Sequence, residues 1–404
     1  MKHLMPLTLI FFLLLTALPI NSFAANVEEL ERRLDLVTEE LQKLKNESAV
    51  EDPEYASTFG FGPAASKVYQ LNKGLSIGGY GEGQFKNFTS DKGSKTDQAD
   101  MLRAILYVGY KFSDSIIFNS EIEIEHANET SIEMASLDFL LKEKFNLRTG
   151  LLLAPMGITN QLHEPTLFHG VDRPLVEQQV IPSTWREMGA GAFGQLTDKL
   201  AYNLYLMNGF DGVDFTEQGL RGGRQKASKA KADDWALLGR LDYEPLLGLN
   251  LGGSFYLGDS GQRQVKDAGG SEVDVFTQIY EAHAQYKYRG LELKTLASQV
   301  KIDDAEIIQA QTGKDVPDEI FAYYGEVAYD VLPHIFAGTN QYLAPFVRYE
   351  NLDYDGNNQD VDLLVTGISY KPIPNVVLKA DYSNFDMKDG TRADELNLGF
   401  GYIF

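Results

Sequence analysis

The chain ends on Glu395-Leu396-Asn397-Leu398-Gly399-Phe400-Gly401-Tyr402-Ile403-Phe404, in which Leu396, Leu398, Phe400, Tyr402 and Phe404 recur at every second position. Side chains of a β-strand point alternately to its two faces, so these five large apolar groups fall on one side. The same period runs upstream. Ala104, Leu106, Val108, Tyr110 and Phe112 alternate with Arg103, Tyr107 and Lys111. Phe118, Ser120, Ile122 and Ile124 alternate with Asn119, Glu121, Glu123 and Glu125, and Leu291 and Leu293 with Glu292 and Lys294. One face is apolar and the other charged, in segments of about ten residues, the length a tilted strand needs to cross a bilayer. A soluble sandwich also alternates, but it rarely sets so many charges on the polar face of long strands.

Composition agrees. The chain has 404 residues, a formal net charge of -22 and no cysteine. That length allows one large β domain or two ordinary ones. A disulfide framework and a cysteine-ligated metal site are excluded, and the acidic balance argues against a nucleic-acid partner, which needs a basic face. At the start, Lys2, the apolar run Leu4 to Leu18 and the small residues around Ser22-Phe23-Ala24 form the three parts of a secretory signal over 1–24. The apolar run is short for an uncleaved membrane anchor.

Next, Val27, Leu30, Leu34, Val37, Leu41 and Leu44 fall at spacings of 3, 4, 3, 4 and 3, flanked by Glu31, Arg33, Glu40 and Lys45. This heptad seam predicts a short coiled-coil oligomerisation segment over 25–46, or else one amphipathic helix lying on its own domain. Residues 47–74, with Pro53, Gly60, Gly62 and Pro63, read as a linker.

From Leu75 onward, short and long connections alternate. Tight turns are expected near Ser113-Asp114, Glu143-Lys144, Thr197-Asp198, Glu244-Pro245, Arg289-Gly290 and Lys371-Pro372. Long stretches cover Asn87 to Asp100, Ala154 to Trp185, Phe210 to Asp233, Asp259 to Asp274 and Asp303 to Glu319. Tight periplasmic turns and long external loops produce this plan, although Val331 to Gln341 is long for a periplasmic turn. Tyr110, Phe112, Phe145, Tyr243, Tyr286, Tyr288, Tyr370, Tyr402 and Phe404 sit beside the short turns or at the C-terminus, where an interfacial girdle belongs. The predicted fold is all-β: an antiparallel transmembrane β-barrel of about sixteen strands over 75–404, preceded by a short coiled-coil helix. Outer-membrane barrels end on such a strand with a terminal aromatic, so Phe404 is the expected contact for the barrel-assembly machinery.

The third long loop carries His163-Glu164-Pro165-Thr166-Leu167-Phe168, Asp172-Arg173-Pro174 and Ile181-Pro182-Ser183-Thr184-Trp185-Arg186-Glu187-Met188-Gly189. With the strand plan and Phe404, this resembles the phosphate-selective porin O and P family over essentially the whole barrel. The resemblance implies an outer-membrane homotrimer of sixteen-stranded barrels, each with a pore narrowed by an inward-folded loop. It implies passive diffusion of small hydrophilic solutes, possibly anions such as phosphate, and no cofactor or catalytic centre. Surrounding partners would be outer-membrane lipid and lipopolysaccharide, with the coil in the periplasm. Members selective for anions line the pore with an arginine ladder and place lysines at the constriction.

The candidate constriction residues are His163, Glu164, His169, Arg173 and Arg186, because guanidinium groups grip phosphate or carboxylate through paired hydrogen bonds. Asp172, Arg173 and Glu187 could equally pin the loop to the wall. The expected pore-lining residues are Arg103, Lys111, Glu121, Glu123, Glu125, Arg148, Arg240, Arg348 and Lys379. Glu82, Asp138, Glu292, Glu326, Glu350 and Asp381 share their face, so acids at least offset bases and a cation-preferring or general pore is the competing expectation. The column Glu121, Glu123, Glu125 reads as a charged wall rather than a metal site, since hard cations need six or more converging oxygens. Arg221, Arg224, Lys226, Lys229 and Lys231 form a basic run in an external loop. It could gather anions, touch lipopolysaccharide or simply be solvated. Two other classes compete: a barrel enzyme, for which none of the six histidines has a recognisable triad setting, and an envelope tether built on the coil.

Overall fold

The computed structural model describes residues 33, 57–89, 95–336, 338–355, 359–388, 390 and 392–404. The chain divides into two compact units, Met1–Ala49 and Val50–Phe404. In the first unit only Arg33 is described, and it is helical. The signal, the heptad seam and the first part of the stretch read as a linker therefore lie outside the described residues.

The second unit contains sixteen strands: β1 (Gly74–Phe88), β2 (Gln98–Ser113), β3 (Ile116–Glu125), β4 (Glu129–Lys142), β5 (Phe145–Leu153), β6 (Arg186–Thr197), β7 (Leu200–Asn208), β8 (Trp235–Leu246), β9 (Leu249–Asp259), β10 (Phe276–Tyr288), β11 (Leu291–Ile302), β12 (Glu319–Tyr329), β13 (Tyr342–Asp353), β14 (Val361–Ile373), β15 (Val376–Met387) and β16 (Glu395–Ile403). Each pairs antiparallel with its sequence neighbours, and β16 returns to β1, closing one barrel. Closure leaves no strand edge unpaired, which a bilayer requires because it offers no water to free N–H and C=O groups.

Alternation assigns the faces. Leu396, Leu398, Phe400 and Phe404 point outward and are exposed, whereas Glu395 and Asn397 are buried inside. Every aromatic assigned to the girdle at the turn end lies on the outer face of its strand. A second set (Trp235, Phe276, Phe321, Tyr382) is exposed toward the loop end. The two belts flank the apolar band of the wall.

Two expected turns lie three residues further along. Hairpins turn at Leu247-Gly248 and Pro374-Asn375, so Glu244-Pro245 and Lys371-Pro372 belong to β8 and β14. Pro245 and Pro372 fall where the register shifts between Tyr243 and Leu246 and between Tyr370 and Ile373. A proline lacks the donor that a regular ladder requires, and a bulge tolerates that lack, so proline here does not mark the turn.

The seam between β1 and β16 shows why Gly79, Gly81 and Gly83 are glycine. Gly79 and Phe404 exchange backbone hydrogen bonds, each 2.9 Å long. A Cβ on Gly79, Gly81 or Gly83 would sit 2.7, 2.5 or 2.6 Å from the ring or hydroxyl of Phe404, Tyr402 or Phe400. The terminal aromatics thus lie over the bare backbone of β1.

The interior is filled from two directions. Residues 57–72, within the stretch expected as a linker, fold inside the wall. Pro63 starts helix α1 (Pro63–Gln70) at a position where its missing N–H costs nothing. Ala64, Ala65, Ser66 and Val68 are buried against β1, β2 and β3, and Asn119 Nδ2 donates to the Ala65 carbonyl at 2.9 Å. From the opposite side, apolar lumen residues such as Leu238, Tyr256, Ile279, Val300, Ile320 and Leu363 meet loop residues Val176, Val180, Ile181 and Trp185 in one buried cluster. Trp185 stacks on Phe210 at 4.6 Å between centroids. Burying each such side chain contributes about 1.5–3 kcal/mol, so half of the lumen is built like a soluble core.

We expect Gly81→Val to force Tyr402 off the seam and cost about 1–3 kcal/mol. Comparing the denaturant midpoint of the folded, heat-modifiable band in detergent with that of the unsubstituted protein checks this.

Candidate functional site

The connection from β5 to β6, residues 154–185, is buried along most of its length and crosses the lumen. Its base is tied by Asn160. The Asn160 amide donates to the carbonyls of Ala154 (2.7 Å) and Trp185 (3.1 Å) and its oxygen accepts from Trp185 N–H (2.8 Å). The 3-10 turn Pro165–Leu167 packs against β1, β15 and β16, on the far wall from β5 and β6, and the short helix α2 (Val176–Gln179) packs against β12 and β13. Glu177, at the start of α2, accepts from Ile158 N–H (2.7 Å), Thr159 N–H (2.6 Å) and the Tyr324 hydroxyl (2.7 Å). One carboxylate joins the two halves of the loop to the wall.

All five expected constriction residues are buried. His163 donates through Nδ1 to the Asn160 carbonyl at 2.8 Å, and its Nε2 lies 3.1 Å from Glu121 and 3.6 Å from Glu133. Burial alone would lower its pKa, but the two carboxylates more than compensate and hold the imidazole above its usual value. Glu164 accepts from Ala64 N–H at 3.0 Å, joining the loop to the N-terminus of α1, and burial pushes its carboxyl up to about 7. His169 lies on the opposite wall, with Nδ1 2.8 Å from Glu326 and Nε2 2.9 Å from the Tyr342 hydroxyl. Arg173 faces Glu82 at 3.9 Å. Arg186 is the first residue of β6 rather than part of the loop, and its guanidinium contacts Glu133 at 3.3 Å. Asp172 pairs with Lys86, which outweighs burial and holds its carboxyl below the usual range.

The nine expected pore-lining side chains stand on the inner face, and seven of them are buried, with Lys111 and Glu125 half-buried. Arg103 reaches Glu82 at 2.9 Å and Glu123 at 3.7 Å. Arg148 makes a bidentate pair with Asp138 (2.7 and 2.8 Å) and stacks on Phe61 and Phe193, so it lies beneath the segment that carries α1. Arg240 pairs with Asp242 at 2.7 Å and donates to the Gly157 carbonyl. Arg348 spans Glu326 (3.2 Å) and Glu350 (2.8 Å), while Lys379 donates to the Gly170 carbonyl at 2.9 Å. Lys111 donates to the Leu71 carbonyl at 2.7 Å. The basic residues therefore grip the inward segments as well as the acids around them.

At the loop end the basic run divides. Lys231 pairs with Asp211. Arg221 and Arg224 donate only to main-chain carbonyls, those of Gln178, Ser183 and Arg221 itself. With Lys226 they line a pocket of about 460 Å³ that has no carboxylate within ion-pair distance of them among the described residues. Burial, reinforced by Arg221 and Arg186, pushes the Arg224 guanidinium down to about 9.

Glu133 and Glu177 were not expected from the sequence. Glu133 is the extra residue of a bulge: Glu121 faces Met134 while Ile122 faces Ile132. The break of alternation at Ile132-Glu133-Met134 was its visible signal. Glu177 had none, being one acid in a loop.

Glu177→Ala should remove three hydrogen bonds to buried donors, at about 1–3 kcal/mol each. Faster chymotryptic cleavage after Phe168, within the loop, in the folded protein would be the readout.

No family model matches the chain. The barrel has the fold of outer-membrane porins. Against OmpF of Salmonella typhi it aligns with a TM-score of 0.55 at 12% identity, covering 82% of this chain and 98% of that one. OmpT, an outer membrane protein of Vibrio cholerae solved in a trimer form, gives 0.53 at 11% over 82% and 99%. The outer membrane channel DcaP of Acinetobacter baumannii gives 0.51 at 14% over 82% and 97%. A sequence relative is nearer: an uncharacterized protein of Aquifex aeolicus (strain VF5) is 36% identical over 379 residues, covering 87% of this chain and 84% of that protein. The chain belongs to one family with that Aquifex protein and shares the closed sixteen-stranded porin fold.

Proposed function

We propose that the protein is an outer-membrane porin, a passive channel for small hydrophilic solutes with a preference for anions such as phosphate, related to the phosphate-selective porin O and P family. The observation that carries the anion preference is the pocket of Arg221, Arg224 and Lys226 at the loop end, where half-buried guanidinium groups line open space with no carboxylate paired to them among the described residues. Such groups bind phosphate and carboxylate strongly because their donors match planar or tetrahedral oxygens. Porin fold, charged inner wall and inward loop support the channel. The constriction then comprises His163, Glu164, His169 and Arg173 with Arg186 at its edge, and solute passes along the polar wall of β1–β4, β15 and β16.

The remaining parts follow the same reading. Residues 1–24 direct export, 25–46 form a periplasmic coil that assembles a homotrimer, as OmpT's trimer form suggests for the fold, and 57–74 seat the barrel's plug. Lipid and lipopolysaccharide surround the wall, and Phe404 is the assembly signal.

In a planar bilayer with a potassium chloride gradient, the reversal potential should report anion preference. The triple substitution Arg221→Ala, Arg224→Ala, Lys226→Ala should shift it toward cations by several millivolts and weaken block by added phosphate severalfold. Cation preference in the unsubstituted protein would instead assign the field to Glu121, Glu123 and Glu125.

A further inference from the structure

Glu121, Glu133 and His163 come from three separate segments and converge at the junction of loop and wall. Each offers one ligand atom, all within 4.8 Å of one another, and all three residues are buried. We propose that this triad is a binding site for a divalent transition-metal ion of the zinc class, fastening the inward loop to β3 and β4. The proposal does not depend on the channel's selectivity.

Four features carry it. Nitrogen and oxygen ligands at about 2.0–2.1 Å from a tetrahedral zinc lie about 3.3 Å apart. His163 Nε2 stands 3.1 Å from Glu121 Oε1 and 3.6 Å from Glu133 Oε2, on either side of that separation. Second, His163 Nδ1 donates to the Asn160 carbonyl, which turns the lone pair of Nε2 toward the carboxylates. This backbone hydrogen bond is the usual way a metal-binding imidazole is oriented. Third, Glu133 Oε2, the oxygen that faces His163, is buried with no hydrogen-bond partner, although the other oxygen of Glu133 accepts from Arg186. A buried carboxylate oxygen left unpaired is costly, and a metal would satisfy it. Fourth, the bulge in β4 places Glu133 on this face next to Met134.

The single imidazole and two carboxylates suit zinc and its neighbours, whereas calcium and magnesium require more oxygens.

The test uses the full chain without a histidine tag, refolded in detergent, freed of metal by chelation and titrated with zinc against a fluorescent chelator. We expect one zinc per chain, at least about 100-fold weaker binding in Glu133→Gln and His163→Gln, and unchanged binding in Glu125→Gln. Heat-modifiability verifies that each variant is folded. Should Glu133→Gln and His163→Gln fail to fold, X-ray absorption at the zinc edge of the unsubstituted protein decides: one imidazole and oxygen neighbours support the site. Absence of zinc uptake, undiminished binding in both folded variants, or a shell of two or more imidazoles would overturn it.

Discussion

Everything in this molecule depends on the ring of backbone hydrogen bonds closing through β1 and β16. In hydrocarbon an unpaired N–H or C=O costs several kcal/mol, so the sheet must return to itself. The return is made by nine register pairs from Tyr80–Ile403 to Phe88–Glu395, extended by the reciprocal bonds of Gly79 and Phe404. Glycine on one strand and aromatic rings on the other let the seam lie flat toward lipid. The C-terminal residue is thereby a structural part of the wall.

Given a closed wall of sixteen strands, the remaining problem is the lumen, which is wide enough to require filling. The chain fills it asymmetrically. On the side of β7–β14 the filler is apolar, with Trp185, Phe210 and Tyr256 packed as in a soluble core. On the side of β1–β4 it is ionic, with the acids of β1, β3 and β4 meeting Arg103, Arg173 and Arg186. Segment 57–72 and loop 154–185 meet at Glu164, whose carboxylate caps α1. Neither filler stands alone: each is held by side chains that the other or the wall supplies.

The wall was legible in the sequence because period two survives in strands such as β2, β3 and β16 and because turns and loops differ in length. Orientation of the inner charges followed from the same period. The lumen was not legible. A stretch such as Thr58 to Leu71, with glycine and proline at its start, reads as a linker until a wall exists for Ala64, Ala65 and Val68 to pack against. Lumen residues Leu238, Ile279 and Ile320 look like any strand apolar residue, since a barrel with a soluble-type core on one side makes both faces of those strands apolar. Pro245 and Pro372 misplace two turns because bulges accept proline as readily as turns do. The expected constriction residues were chosen by type, whereas Glu133, which meets His163 and Arg186, and Glu177, which ties the loop to Tyr324, come from segments whose proximity only the fold creates.

The division of the lumen into a dry apolar half around Trp185 and a polar half open to solvent at Glu125 is tested most directly by water access. Because the chain has no cysteine, single cysteines can report on each half with a charged, water-soluble thiol reagent. Ala322→Cys, within the apolar half, should react far more slowly than Glu125→Cys, at the polar wall. Equal rates at the two positions would mean that water fills the whole lumen and would contradict it.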